Sequence, residues 1–262
     1  MTLALFITAV LVLIAVVGQV FTHKMVRQDN LEPSQGMVEA MLGVVGTLFS
    51  LLLGLLVANA IESYHEVNVQ VSTEANALAN IHRLAEGLNP AARQSIQDMC
   101  ADYNHCVINT EWAAMDKMEM APHCWDVYGK LWSACVQVMP TNDRENNLQA
   151  SMLESAKILG ETRRGRSVAC RAQISPVLWT AIFFGSAITI IFTYFFTSKM
   201  GRLHTLLTAL IAISLGLNIW LLAAYSQPFG SDLKIKPEIF ELLDKQVFKY
   251  QSPKPGIDNL KQ

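Results

Sequence analysis

The stretch Met37–Ile61, MVEAMLGVVGTLFSLLLGLLVANAI, decides how the chain reads. Coiled as a helix at about 1.5 Å per residue, it exceeds the ~30 Å of bilayer hydrocarbon, so it spans a membrane with some tilt. A stripe of small or polar residues runs through it at helical spacing: Gly36, Glu39 or Ala40, Gly43, Gly46 or Thr47, Ser50, Gly54 and Ala58. Leu, Val and Phe take the other faces. The pattern turns polar at Asn59, Glu62, Tyr64, His65 and Glu66 and stays helical to about Leu88. One continuous helix is therefore expected to leave the membrane and enter an aqueous domain.

The composition agrees. Of 262 residues, 52% are hydrophobic and only 16% charged, with a mean hydropathy of +0.28, too apolar for an ordinary soluble domain. Four runs carry this apolarity: Thr2–Phe21, Met37–Ile61, Pro176–Thr197 and Leu203–Tyr225. Each is long enough to span. The first has no basic residue before it and no small-x-small cleavage pattern, so it reads as a retained span and not a signal peptide. The expected fold is an all-α integral membrane protein of four transmembrane helices. Its segments are spans one and two over 1–61, a helical aqueous domain over 62–175, spans three and four over 176–226, and a tail over 227–262 with a short amphipathic helix.

Four spans put both termini and the middle domain on one face, with the loops 22–35 and 198–202 on the other. Basic residues stand on both sides: Arg163, Arg164, Arg166, Arg171, Lys234 and Lys236 against Lys24, Arg27, Lys199 and Arg202. Their count favours a cytoplasmic middle domain, whereas the basic residues following span one argue the opposite way. Five cysteines, Cys100, Cys106, Cys124, Cys135 and Cys170, all fall in the middle domain. An odd number outside a compact secreted scaffold reads as free thiols in a reducing compartment, which selects the cytoplasmic orientation and an inner (plasma) membrane location.

Within the middle domain the sequence predicts helix almost throughout. The first helix closes at Gly87 and Asn89-Pro90, a second runs from Pro90 to about Met118, a third from Pro122 to Met139, and a fourth from Asn142 to about Gln173. The tail offers a short extended stretch at Leu233–Ile235 and a helix from Pro237 to about Val247.

The motifs bound the chemistry. There is no G-x-S-x-G, Walker loop, H-E-x2-H or strand-linked G-x-G-x2-G, so neither an enzyme nor a cofactor site is expected. A net charge of −2 without a basic-aromatic module sets nucleic acid aside. Glu39, Gly43, Thr47, Ser50, Gly54 and Asn59 are the candidate pore-lining residues; the same small residues also serve close helix packing in lipid. Glu39 lies about one turn from the helix start, and a ring of such carboxylates favours cations. Arg163, Arg164, Arg166 and Arg171 are candidates for a vestibule or for acidic lipid headgroups, against the plainer reading of topogenic charge. His105-Cys106 and His123-Cys124, near Met115, Met118 and Met120, are the candidate metal ligands, although adjacent His and Cys on a helix point about 100° apart. Glu62 and His65 form an E-x2-H pair with no second copy to complete a di-iron site. Trp112 reads as a core anchor and Glu111 as its polar neighbour, a partner for an arginine.

Several of these groups together resemble the bacterial bestrophin-like membrane-protein family. They are LLLGLLVANAIESYHE at Leu51–Glu66, EANAL at Glu74–Leu78, HRLAEGL at His82–Leu88, YNHCVINTEW at Tyr103–Trp112, the RRGR run at Arg163–Arg166 leading to Pro176-x-Leu178-Trp179, and QPFGSDLKIKPEIFEL from Gln227. The family is distantly similar to bestrophin anion channels, in which the second span lines a pore; Leu53-Gly54-Leu55 and Tyr64–Glu66 match that outline, with Phe49 as the counterpart of the aromatic neck. The resemblance implies a four-span homo-oligomer, arranged as a ring in lipid, with a cytoplasmic helical domain. Ion conduction with span two as the pore wall is the first expectation. The second is a non-conducting scaffold whose helical domain docks an unidentified protein partner, and the third a metal-handling membrane protein.

Overall fold

A computed structural model describes residues 2–25, 35–195 and 201–248. The loops expected over 22–35 and 198–202, and the end of the tail, lie mostly outside these residues. The described residues are almost entirely helical, with no strand among them. α1 covers Thr2–Met25, α2 Gln35–Leu84, α3 Pro90–Cys106, α4 Trp112–Met115, α5 Pro122–Gln137, α6 Asp143–Arg171, α7 Pro176–Tyr194, α8 Gly201–Tyr225 and α9 Glu238–Leu243.

The boundaries follow local chemistry. α2 is 50 residues long, about 75 Å. It tightens into a 3-10 turn at Ala85–Gly87 just before Asn89 and Pro90, as the stop signals require. α3, α5 and α7 each open on a proline, whose missing N–H costs nothing in the first turn. Asn89 accepts from the Ala92 amide at 2.9 Å. At the head of α6, Asn142 accepts from the Glu145 amide at 2.9 Å while Glu145 Oε2 accepts from the Thr141 amide at 2.8 Å, a reciprocal cap.

The helix expected from Pro90 to about Met118 runs without a gap to Met115, but not as plain α-helix. α3 gives way to a π-turn at Val107–Glu111, then to the short α4, and Met118 turns the chain at φ 60°. The tail helix runs where its periodicity predicts, α9 passing directly into a second π-turn at Asp244–Phe248.

Two compact units form. The first comprises residues up to Tyr64, Gln173–Gln227 and Ser231–Leu233. Here α1, α7 and α8 pack together, and Phe49, Leu53, Val57 and Ala60 of α2 join Ala15, Ile182, Ile190, Ala212, Leu215, Ile219 and Leu222 in one core. The second comprises His65–Ala172, Pro228–Gly230 and the described residues of the tail from Lys234. Its core is built where α3 meets α5 and α5 meets α6, around Leu78, Ile81, Ile96, Leu131, Met152 and Leu159.

Among the described residues, three helices are long and apolar enough to cross a membrane, within Gly36–Gly87, Pro176–Tyr194 and Arg202–Tyr225. α1 contributes a shorter apolar stretch over Thr8–Thr22.

Candidate functional site

The α2 stripe comes first. Phe49, Leu53, Val57 and Ala60 fall on one face and are buried. At about 100° per residue, Gly43, Thr47, Ser50 and Gly54 share an arc of roughly 60° beside that face, while Leu48, Leu51, Leu52 and Leu55 occupy the far side. All eight of these residues are exposed in the single chain, and only 17% of the most apolar window of the helix is buried. A Cβ added at Gly43 or Gly54 meets nothing within 4 Å. Thr47 Oγ1 donates to the Gly43 carbonyl at 2.6 Å, so its hydroxyl closes on its own helix. Glu39, also exposed, sits at the edge of the arc, whereas Asn59, exposed too, projects on the Leu48–Leu52 side. The structure thus keeps four of the six candidates in one strip, with Glu39 flanking it and Asn59 apart. Such a strip is a hydrated wall if copies surround it, and a close-packing face if they meet on it.

The second cluster lies inside the other unit and joins motifs distant in sequence. Arg166, fully buried, donates from Nε to Glu74 Oε2 and from Nη2 to Glu74 Oε1, each at 2.8 Å. The same Nη2 reaches Glu111 Oε2 at 2.8 Å, and Nη1 contacts Met115 Sδ at 2.9 Å. Arg163 pairs with Glu111 Oε1. Tyr103 donates its hydroxyl to Glu74 Oε1 at 2.8 Å. Rings cover the cations: Trp112 lies 5.2 Å from the Arg166 guanidinium and Trp125 lies 4.8 Å from that of Arg163. The π-turn ends at Glu111 and so sets it against α6, where Arg163 and Arg166, three apart, share a face.

Two carboxylates and two guanidiniums balance, which is the condition for keeping four charges out of water. Burial opposes the charge on Arg166, but Glu74 and Glu111 outweigh it and hold the guanidinium above its ordinary range. Burial first, then the charge of Glu74, pushes the Tyr103 phenol well up. The arginine cluster therefore divides. Arg163 and Arg166 are committed inward, and only Arg164 and Arg171 stay on the surface. Sequence reasoning missed Glu74 and Tyr103 as members of this network.

The metal candidates separate. Cys106 and Cys124 are joined by a disulfide, so neither sulfur is a thiolate, and His105 and His123 are exposed. Among the described residues no group of three His, Cys, Asp or Glu is placed to hold a metal ion. The pairing also removes two of the five thiols from the argument for a reducing compartment; Cys100, Cys135 and Cys170 remain free and buried.

Comparison with known proteins bears on the whole chain. The solved crystal structure of a bacterial bestrophin homolog from Klebsiella pneumoniae, carrying a leucine-to-threonine mutation, superposes with a TM-score of 0.68, covering 91% of this chain and 96% of that one. At 11% sequence identity this shows a shared fold. No curated protein matches the chain. The family model described as Bestrophin-like domain matches residues 9–240, and on that extent the chain belongs to the bestrophin-like family.

Proposed function

We propose that the protein is an oligomeric ion channel of a bacterial inner membrane in which α2 lines the pore, a transport protein and not an enzyme. The observation that carries this reading is the division of α2. One side is consumed by the core of its own chain, while the strip Gly43, Thr47, Ser50 and Gly54 is polar, small and exposed in the single chain. Polar groups facing lipid are costly, so the strip faces either water or other copies. A ring of copies around a central axis meets both conditions at once, with the leucine side of α2 turned to lipid and neighbouring helices. In this reading α1 is the first of four spans, the middle domain is cytoplasmic, and Arg164 and Arg171 are the basic groups left to meet ions or acidic headgroups.

The test is a planar-bilayer recording of the purified oligomer under a KCl gradient, with Ser50→Leu alongside. A current in the parent that disappears in a variant of unchanged oligomer size supports the pore. The sign of the reversal potential then chooses between cation selection by Glu39 and anion selection. A parent oligomer that stays silent moves the assignment to a membrane scaffold whose α2 strip serves packing alone.

A further inference from the structure

Where α1, α7 and α8 pack together, one end of their shared interior is polar. Three contacts fix the register: a Cβ at Gly18 of α1 runs into the Tyr194 hydroxyl of α7, His204 Nε2 of α8 lies 2.7 Å from the Thr193 carbonyl, and a Cβ at Gly216 of α8 meets Thr8 of α1. α8 therefore runs antiparallel to the other two. Read along the bundle, Gln19 stands level with Thr193 and His204, Thr208 with Thr189, then comes Ser186, and last Thr8 beside Gly216. At about 100° per residue, Gln19 and Thr8 share one face of α1, Ser186, Thr189 and Thr193 one face of α7, and His204 and Thr208 one face of α8. Burial turns these faces inward: Gln19 and Ser186 are 2% exposed and Thr208 1%. The polar run from Gln19 to Thr8 is about 16 Å long. Ile182 and Leu215 lie level with its end, and past them Ile219 and Leu222 continue the interior as apolar core.

A hydroxyl inside a helix ordinarily closes on the carbonyl one turn back. Thr22, Thr189 and Thr193 do so, donating to the carbonyls of Gly18, Gly185 and Ile190 at 2.8, 2.8 and 2.6 Å. Thr208 Oγ1, Ser186 Oγ and Thr8 Oγ1 do not, and neither they nor Gln19 Oε1 have a hydrogen-bond partner among the described residues. These four oxygens come from three helices and fall on one interior seam, one at each level. A buried polar atom left unpaired is costly, and more so where no bulk water can reach it. The levels of Gln19, Thr208 and Ser186 follow one another about 5 Å apart, too far for a direct hydrogen bond and the span of one bridging water.

We propose that this seam is a water-binding site: a file of ordered water inside the chain, entered beside His204 where α1 ends and α8 begins, and stopped at Ile182 and Leu215. Water donates to Gln19 Oε1 and exchanges hydrogen bonds with the hydroxyls of Thr208, Ser186 and Thr8, which serve as both donors and acceptors. The His204 ring is held at the entrance, because the Thr193 carbonyl only accepts and so fixes the proton on Nε2. No residue of α2 takes part, so the site is separate from the Gly43, Thr47, Ser50 and Gly54 strip. Its apolar end makes it a hydrated recess and not a second route through the bundle.

Radiolytic hydroxyl labelling of the full-length protein in lipid, in water enriched in heavy oxygen, tests this, because the radical forms from water and marks the side chains beside it. Ser186→Cys sets a reactive sulfur well inside the file, and Cys100 and Cys135, free and buried in the other unit, are thiol references in the same molecule. The sulfur introduced at 186 is expected to take up heavy oxygen about tenfold faster than Cys100, as a side chain beside bound water does. His204, 5% exposed, is expected to be labelled with it. Adding Gln19→Leu and Thr208→Val is expected to cut both rates about fivefold at unchanged oligomer size, since the water loses its partners. Labelling at 186 no faster than at Cys100 overturns the proposal, as does labelling that the two apolar replacements leave unchanged. Thermal unfolding gives an independent reading with Gln19→Leu and Thr208→Val in the otherwise native chain. The midpoint is expected to fall if water bonds these groups; a midpoint that rises, as removal of dry, unpaired oxygens produces, overturns the proposal too.

Discussion

Arg166 and Glu74 stand 92 positions apart in the chain and meet as a forked pair, Nε on one carboxylate oxygen and Nη2 on the other, each at 2.8 Å and both side chains fully buried. The second carboxylate, Glu111, takes the remaining face of Nη2. Removing the central cation leaves Glu74 buried with only the Tyr103 hydroxyl. Arg166→Met is expected to cost about 3–5 kcal/mol, the usual penalty for breaking a buried pair from one side. Adding Glu74→Leu recovers much of that loss, because the stranded charge goes with it. Arg166→Lys keeps the charge without the fork and falls between. Denaturation midpoints followed by tryptophan fluorescence read all three, and an Arg166→Met protein as stable as the parent refutes the account.

A second expectation concerns the membrane unit, where α2 and α7 approach at Gly185. A Cβ built there runs into the ring of Phe49, which is itself buried. Gly185→Ala must move an aromatic ring in a close-packed core and is expected to destabilise by about 1–3 kcal/mol. Phe49→Leu in the same chain relieves the overlap, so the double variant is expected to be less destabilised than the sum of the two singles. Thermal unfolding in detergent measures this; additive losses show that the ring and the glycine do not share the space.

How far the sequence carried this picture depends on the range of each interaction. The apolar runs, the polar continuation of α2 and the stops at Asn89-Pro90 and Asn142 are local patterns, and the helices fall where those patterns put them. The side of α2 that faces the core was not read in advance: Phe49, matched by resemblance to the aromatic neck of a pore, is buried with Leu53, Val57 and Ala60 in the core of its own chain. Long-range pairing was not legible either. Arg163 and Arg166 read as part of a basic border because nothing near them in sequence carries the carboxylates that neutralise them. Those arrive from α2 and from the π-turn. Glu111 was expected to meet an arginine; that it meets two depends on the π-turn at Val107–Glu111, which no proline or glycine announces. The Cys106–Cys124 bond was hidden for the same reason, as it joins the end of one helix to the start of another across an irregular turn.

Trp112 gives a third expectation. Its indole N–H is used on the Ile235 carbonyl, and its ring is shared with Phe229, Phe240 and the Arg166 guanidinium. Trp112→Phe retains an aromatic ring but strands a buried carbonyl, for an expected loss of about 1–3 kcal/mol. Trp112→Ala also opens a cavity and is expected to cost about 3–5 kcal/mol. The difference between the two variants in urea midpoint separates the hydrogen bond from the packing, and equal midpoints count against a role for the ring.

Alkaline pH supplies the last expectation. Burial pushes the Cys135 thiol from 9.0 to about 11, and pushes the Cys100 thiol well above 9.0 and the Tyr103 phenol well above 10.0. Each of these groups holds its proton more tightly folded than unfolded. Below about pH 9 both states are protonated and the full stability is present. Above it the unfolded chain releases protons that the folded protein keeps, so stability falls as pH rises, through about 11 for Cys135 and over a window starting near 10 for Tyr103. At about 1.4 kcal/mol per unit, Cys135 alone accounts for on the order of 2 kcal/mol by the top of its range. Denaturant midpoints at about pH 8, 9.5 and 11 are expected to decline, and Cys135→Ala is expected to flatten the first part of that decline. A midpoint constant across this range would mean that water reaches these groups in the folded chain, and with it the phenol that caps Glu74.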